Sequence, residues 1–250
     1  MTVTRLNDKT AIVTGAGQGI GRAIAGRLAA DGATVIVTDV NGDAAREAAA
    51  GIGGTAVARS MDVTSPASVA AATDWAASEF GRIDVLVNNA GWDTAGPFTE
   101  SDPADWDRII QINLYGVLHT CRAVLPVMVS QGGGTVVNIA SDAGRVGSSG
   151  EAVYSAAKGG VIAFTKSTAR ELARHHINVN CVCPGPTDTA LFASLGGDNP
   201  KLREALTRAI PMRRLAEPRD IAGVAAFLAS PDAAYLTGQA VSVSGGLTMS

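Results

Sequence analysis

The sequence has little that would serve a disulfide scaffold, a metal site or a charged partner. Its three cysteines, Cys121, Cys181 and Cys183, are too few and too irregular for disulfides, and a C-x-C pair without neighbouring thiols or imidazoles lacks zinc spacing. Of three histidines only one is a candidate ligand, which nearly excludes multi-histidine centres, so no metal is expected. His175 and His176 stand together where a long helix should end, a position that its dipole favours for positive charge; His119 alone lies inside an apolar pattern. Twenty basic residues against 23 acidic ones leave a formal net charge of −3 with no basic cluster, which disfavours nucleic acid as a partner. The longest nearly unbroken apolar run, Ile221 to Ala229, is far below the roughly 18 residues of a membrane span. Met1 to Lys9 contains no signal-peptide core, so a soluble cytoplasmic protein with no membrane partner is expected.

What is present is apolar surface and glycine. Hydrophobic residues make up 46% of the 250 positions and charged ones 17%, enough for a sizeable core in one domain over 1–250 with no visible boundary. Glycine occurs 29 times, above the usual ~7%, and is spread over strand and helix junctions as turns and close-approach points. Short β-branched runs at Thr10–Thr14, Ala33–Val37, Thr55–Met61, Ile83–Val87, Thr135–Ile139, Ile177–Cys183 and Ala240–Val243 read as buried strands. Between them, Ile20–Ala30, a stretch from Asp43 to near Gly51, Pro66–Phe80, Pro103–Ser130, Ala152–Arg174 and Pro218–Ser230 read as helices. Strands apolar on both faces and separated by helices predict an α/β, doubly wound parallel sheet with helices on both faces. The rhythm breaks at Pro184-Gly185-Pro186, where a segment at about 186–215 carries one short helical piece near Lys201–Arg208.

Four features carry chemistry. Gly15-Ala16-Gly17-Gln18-Gly19-Ile20-Gly21 joins the first strand to the first helix, so backbone N–H groups and the helix dipole can meet a pyrophosphate unobstructed. Asp39, 24 residues after Gly15 at the end of the second strand, can accept both hydroxyls of an adenosine ribose and would repel a 2′-phosphate. With no basic residue at Gln18, Val40 or Asn41, charge favours NAD; alternatively, Asp39 only starts a turn with Asn41-Gly42. Tyr154 and Lys158, four apart near the start of a helix, lie one turn from each other, and an ammonium about 4 Å away at an effective dielectric of ~20 could supply the ~4 kcal/mol needed to bring a phenol toward neutrality. Ser141, just past the end of the fifth strand, could hold a substrate oxygen; Asn113 is an amide within a long helix that needs a specific partner, or is an ordinary satisfied core residue.

Taken in order and spacing, Thr14-Gly15-x-x-x-Gly19-x-Gly21, Asp62-Val63, Asn88-Asn89-Ala90-Gly91, Asn113, Ser141, Tyr154-x-x-x-Lys158 and Pro184-Gly185 resemble the short-chain dehydrogenase/reductase family across essentially the whole chain. The resemblance implies a seven-stranded Rossmann sheet, nicotinamide-dependent hydride transfer and a homotetramer. It makes Tyr154 the general acid/base, Lys158 the group that depresses its pKa and holds the nicotinamide ribose, Ser141 the residue that orients the substrate oxygen, and Asn113 the support of a proton relay. Asp62 and Val63 would meet the adenine, and Asn88, Asn89, Ala90 and Gly91 would line the cofactor. Pro184, Gly185, Thr187 and Thr189 would flank the nicotinamide, and Gln18, Ile20 and Val40 complete the expected contacts. The segment 186–215, chiefly Leu191 to Arg213, would be a mobile substrate lid.

Within the family, Asn88 to Asp93, the Ser141 to Tyr154 loop, Cys183 to Leu191 and Val243 to Met249 resemble members that oxidise 3-hydroxyacyl-CoA thioesters. This implies an acyl-CoA such as 2-hydroxycyclohexanecarboxyl-CoA as the small-molecule partner. The pocket would then include Trp92, Asp142, Arg145, Val146 and Glu151, with Arg145 a contact for phosphate or carboxylate or an exposed loop residue. The carboxylates of Asp142 and Glu151, close to the catalytic pair, could raise the Tyr154 pKa if unpaired or pair with Arg145 instead. The alternatives are a 3-oxoacyl carrier protein reductase or general carbonyl reductase, and, more distantly, a non-catalytic NAD-binding regulator on the same fold.

Overall fold

The structure is a computed structural model in which residues 5–249 are described; residues 1–4 and 250, the ends of the expected single domain, lie outside them. The chain runs β1 (Thr10–Val13), α1 (Gly19–Ala30), β2 (Thr34–Asp39), α2 (Gly42–Ile52), β3 (Ala56–Ser60), α3 (Pro66–Phe80), β4 (Val85–Asn88), α4 (Pro103–Ile110), α5 (Gly116–Gln131), β5 (Gly134–Ile139), α6 (Ala143–Val146), α7 (Ala152–Leu172), β6 (Ile177–Pro184), α8 (Ala190–Phe192), α9 (Pro200–Ala209), α10 (Pro218–Ala229) and β7 (Ala240–Val243). All seven strands pair in parallel in the order β3-β2-β1-β4-β5-β6-β7. The order reverses between β1 and β4, which opens a crevice at their carboxyl ends, where sheets of this type take ligands.

Local chemistry sets the helix starts. Asn41 accepts from the N–H groups of Asp43 and Ala44 at α2, Ser65 caps α3 ahead of Pro66, Asp102 caps α4 ahead of Pro103, and Glu217 with Asp220 forms a capping box on α10. One sheet face is covered by α1, α2 and α10 through Ile24, Leu28, Ala45, Ala48, Ile221 and Leu228; the other is covered by α3, α5 and α7 through Ala76, Val117, Val124, Met128 and Val161. At the edge of β4 the buried Asp84 accepts from the Thr10 N–H (3.0 Å), Lys9 Nζ (3.1 Å) and Arg82 Nε (2.7 Å). Burial pushes its carboxyl up, but the Arg82, Thr10 and Lys9 hydrogen bonds outweigh it and hold the group below its ordinary value.

Two regions differ from the sequence-based expectation. Pro103–Ser130 is not one regular helix, because Gln111–Tyr115 forms a π-turn between α4 and α5. The wide turn aims Asn113 inward, where Nδ2 donates to the carbonyls of Ile109 (2.9 Å) and Trp92 (2.6 Å). Taken together, Pro103–Gln131 is long and apolar enough by composition to cross a membrane, yet one face of α5 (Val117, Thr120, Cys121, Val124, Met128) is buried on the sheet. Between Thr189 and Ile210, α8, a π-turn at Ala193–Gly197 and α9 replace the single short helix expected there.

Candidate active site

At the carboxyl ends of the central strands lies a cavity of about 1310 Å3, floored by the loops after β1, β4 and β5 and covered by the segment 186–215. Its first wall is the glycine loop. Gly15, at φ +60°, comes so close to the loop after β4 that a Cβ on it would lie 2.8 Å from Ala90 Cα. The Gly17 N–H donates to Asp39 Oδ2 (3.0 Å), and Asp39 Oδ1 accepts from the Asn41 N–H (3.0 Å), so Asp39 does start the local turn while presenting its carboxylate to the cavity. The first turn of α1 has no side-chain cap and no acidic residue, leaving its N–H groups to the cavity. Nearby cations are engaged elsewhere: Arg46 pairs with Asp43, and Arg59 lies over the Trp75 ring. A cradle that a side chain would fill, an uncapped helix terminus and a carboxylate at the end of β2 fit a dinucleotide without a 2′-phosphate.

Gln18, Gly19, Ile20, Val40, Asp62, Val63, Asn89, Ala90, Gly91, Pro184, Gly185, Thr187 and Thr189 all line this cavity. Gly21 does not: a Cβ there would overlap Asn89 Nδ2 and the Gly15 carbonyl oxygen, so its role is to seat α1 on the loop. Asn89 uses its amide on the Thr14 and Gly15 carbonyls (both 3.0 Å), and Asp62 Oδ1 closes its own turn on Thr64. Asn88 is also not a lining residue. It sits beneath the floor, accepting from Thr120 Oγ1 (2.6 Å) and donating to Asn138 Oδ1 (2.8 Å), while Asn138 donates to Thr165 Oγ1 (2.9 Å). His119 hydrogen-bonds the Val63 carbonyl through Nδ1 (2.9 Å) and stands outside the cavity.

Ser141, Tyr154 and Lys158 meet at the inner end. Lys158 is buried, donates from Nζ to the Ile139 carbonyl (2.9 Å) and lies 5.5 Å from the centre of the Tyr154 ring; burial pushes its ammonium down to about 8. The Tyr154 phenol moves opposite to the expected depression. Burial raises it, the Asp93 and Glu151 carboxyls add to the rise, and a hydrogen bond with Ser141 opposes it. Burial of the phenol is the largest of these causes. Asn113 is fully buried; its Oδ1 accepts no hydrogen bond and lies 3.0 Å from where a Cβ on Gly91 would stand.

The outer end is apolar, with Val146, Leu191, Phe192, Leu195, Leu202, Leu206 and Leu247 along it. Arg203 on α9 braces the covering segment internally through Asp188 (2.7 and 3.0 Å) and the Gly197 carbonyl (3.2 Å). Trp92, Asp142, Val146 and Glu151 line the cavity as expected, but Arg145 does not; it turns back toward Asp142, 4.0 Å away. Asp142 is an anchor, accepting from Ser242 Oγ (2.7 Å) while its N–H donates to the Pro184 carbonyl (3.0 Å). Besides Lys158, the cation that reaches the cavity is Arg108, laid over the Trp92 ring at 3.9 Å. Arg108 carried no signal in the sequence, since it enters through the packing of a distant segment and not through spacing; Asp93 and Leu247 lie inside stretches that carry the resemblance, without a role of their own there.

Comparison with known proteins agrees with this geometry. A family model described as enoyl-(acyl carrier protein) reductase matches residues 15–248. A 3-oxoacyl-[acyl-carrier-protein] reductase of Vibrio cholerae is 41% identical over 244 residues, covering 98% of this chain and 99% of its own. The galactitol 2-dehydrogenase of Agrobacterium fabrum is 40% identical over 255 residues, covering 98% and 100%. Among solved structures, the 3-ketoacyl-(acyl-carrier-protein) reductase of Brucella melitensis complexed with NADH superposes with a TM-score of 0.92 at 36% identity, covering 98% of this chain and all of that one. These names support reductases of carrier-bound acyl groups in place of the acyl-CoA dehydrogenases suggested by the loop sequences.

Proposed function

Because the chain belongs to the short-chain dehydrogenase/reductase family and is an oxidoreductase, we propose that it uses NAD(H) to interconvert the 3-hydroxy and 3-oxo forms of an acyl thioester. The observation that carries the substrate class is the apolar outer wall of Val146, Leu191, Phe192, Leu195, Leu202 and Leu206, which suits an acyl chain or ring. A polyol would leave hydroxyls unpaired against those side chains. Reduction of a thioester on acyl carrier protein is supported by the relatives' names and is the leading form of this reading. Oxidation of an acyl-CoA such as 2-hydroxycyclohexanecarboxyl-CoA is supported by the Ser141 to Tyr154 loop. NAD in preference to NADP is supported by Asp39 and by the NADH bound to the Brucella relative.

A bound nicotinamide would supply the hydride acceptor or donor, held at the Pro184–Thr189 side of the cavity. In the oxidative direction Ser141 holds the alcohol oxygen and Tyr154 takes its proton; in reduction Tyr154 gives that proton to the forming alkoxide. The raised phenol favours the protonated, reduction-ready form. Lys158 keeps positive charge beside Tyr154, and the open acceptor of Asn113 offers a path for a proton leaving through Lys158. Exposed apolar side chains at Tyr115, Val129, Phe227, Tyr235 and Leu236 suit the subunit contacts of a homotetramer, which light scattering giving a monomer would exclude. A soluble enzyme of the cytoplasm is the setting this reading implies.

The test is initial rates with NADH and NADPH on a 3-oxoacyl thioester carried by acyl carrier protein and by CoA, with NAD and galactitol in parallel. NADH-dependent thioester reduction is expected. Turnover confined to galactitol would overturn the substrate class and leave the family standing.

A further inference from the structure

Arg108 stands in the last turn of α4 with its guanidinium 3.9 Å from the centre of the Trp92 ring, and both residues line the catalytic cavity. The other cation on that wall, Lys158, is buried and spends its ammonium on the Ile139 carbonyl. Arg108 is exposed, and among the described residues no acceptor takes its side-chain N–H groups and no carboxylate lies within ion-pair distance of it. Its own helix carries a candidate. Asp105 is three residues back, the spacing at which Arg46 pairs with Asp43 on α2. Asp105 instead lines a second cavity of about 390 Å3 together with Glu100 and Asp102, while the guanidinium turns away from it to the ring.

The ring beneath it is a fixed plate. The Trp92 carbonyl accepts from the fully buried Asn113 (2.6 Å), so the π-turn that continues α4 past Arg108 also holds the loop that carries the ring. Trp92 follows Gly91, where a Cβ would stand 3.8 Å from Lys158 Nζ, which sets the stack beside the catalytic pair. A guanidinium laid on an aromatic face keeps its N–H groups directed outward from its edge, where they meet the oxygens of a carboxylate or phosphate two at a time. Covering the ring would need only an aliphatic stem. It does not account for a charge left without a counter-ion on the wall of a reaction cavity, and none of the catalytic steps above uses that charge.

We propose that Arg108, held against Trp92, is an anion subsite of the substrate pocket: it binds a charged oxygen group that the substrate carries away from its reacting carbon. Two sources share that chemistry, the phosphate of a pantetheine arm and a carboxylate at the far end of the acyl group. Gln111, three residues on and lining the same wall, offers a neutral donor beside the guanidinium. The subsite selects anionic substrates over neutral ones with the same reacting end, and it does so through binding, because the charge pair is the same before and during hydride transfer. It rests on the thioester reading for its natural ligands, but its chemistry rests on the surroundings of Arg108 alone.

The experiment uses two matched pairs of probes in NADH-dependent reduction. The 3-oxohexanoyl thioesters of 4′-phosphopantetheine and pantetheine differ by the arm phosphate; the N-acetylcysteamine thioesters of 3-oxoadipate and 3-oxohexanoate differ by the distal carboxylate. The native enzyme at low salt is expected to favour the anionic member of one pair at least about tenfold in kcat/KM, through KM, and the pair that shows it names the source. Arg108→Gln should bring that ratio to within about threefold of one, and Arg108→Lys, which keeps the charge without the planar fork, should retain part of it. Molar salt should shrink the native ratio and leave that of Arg108→Gln where it is. No preference in either pair, a ratio unchanged in Arg108→Gln, or a KM for NADH that rises as much as the KM for the anionic probe would each overturn the subsite. If no thioester turns over, the proposed substrate falls, and calorimetry of the NAD-bound protein decides the subsite separately. Tighter binding of 4′-phosphopantetheine than pantetheine, or of adipate than hexanoate, lost in Arg108→Gln, sustains it; equal binding within both pairs overturns it.

Discussion

Replacing Asp39 with asparagine should convert a discriminating site into a tolerant one. In the native chain both carboxylate oxygens are fixed by backbone N–H groups, Gly17 on one side and Asn41 on the other, each at 3.0 Å, so the charge cannot swing away from an incoming phosphate. A 2′-phosphate carries about −1.5 to −2 charges. At roughly 4 Å each charge pair costs about 1 kcal/mol in a water-like medium and about 4 kcal/mol at an effective dielectric of 20. The half-exposed position puts the repulsion nearer the lower bound, at about 1–2 kcal/mol per charge pair. Asparagine removes this cost to NADP, and its NH2 must face one of the two backbone donors, forfeiting a charge-assisted hydrogen bond of about 1.5–3 kcal/mol. NAD should lose about tenfold in kcat/KM and NADP gain about tenfold, a shift near a hundredfold in their ratio. Steady-state rates with each cofactor at one saturating substrate concentration measure it directly. A ratio that moves less than about threefold would refute the electrostatic reading of the end of β2.

Tyr154→Phe should lower turnover by at least about 10²- to 10⁴-fold while NAD still binds, as read by quenching of tryptophan fluorescence. Asp84→Ala removes the acceptor for Thr10, Lys9 and Arg82 and should cost about 2–4 kcal/mol, lowering Tm by roughly 4–16 °C at neutral pH. Because the folded-state carboxyl lies below its ordinary value, that stabilisation is complete above about pH 4 and is lost as pH falls through the folded value. The Tm gap between native protein and variant should therefore narrow as pH falls below about 4, and a gap that stays constant from neutral pH into acid would contradict the linkage. Arg203→Ala breaks the exposed pair with Asp188 and should leave Tm within about 2 °C while raising KM several-fold through a looser cover; a change in kcat alone would point elsewhere.

The layers and most of the site were legible because they obey short-range rules. Strands such as Ala240–Val243 and helices such as Pro66–Phe80 follow from β-branched runs, caps and prolines, and their spans match the sequence reading residue for residue. Tyr154 and Lys158 are one helical turn apart, so a spacing predicts their meeting. The π-turn at Gln111–Tyr115 was not legible: it answers to carbonyls of Ile109 and Trp92 that accept the Asn113 amide, and Trp92 is far away in sequence. Arg108 was not legible for the same reason, since its guanidinium finds a ring brought in from another loop, whereas Arg145 takes the pairing with Asp142 that its neighbourhood in sequence allows. The direction of the Tyr154 shift depended on burial and on Asp93, neither of which spacing reports.

The buried relay from Thr120 through Asn88 and Asn138 to Thr165 acts as a key cut across four elements. Asn88 and Asn138 are register partners on β4 and β5, and each amide spends its donor on the next member. A one-residue slip of either strand would turn an amide to the opposite face of the sheet and strand it among aliphatic side chains, whereas a sheet of valines alone would tolerate the error. Strand β4 ends at Asn88 and β5 one residue beyond Asn138, so the key also sets the height at which both strands release their loops. The level of Gly91 and Asp93 relative to Ser141 is thus gauged from below, by amides that never meet a substrate.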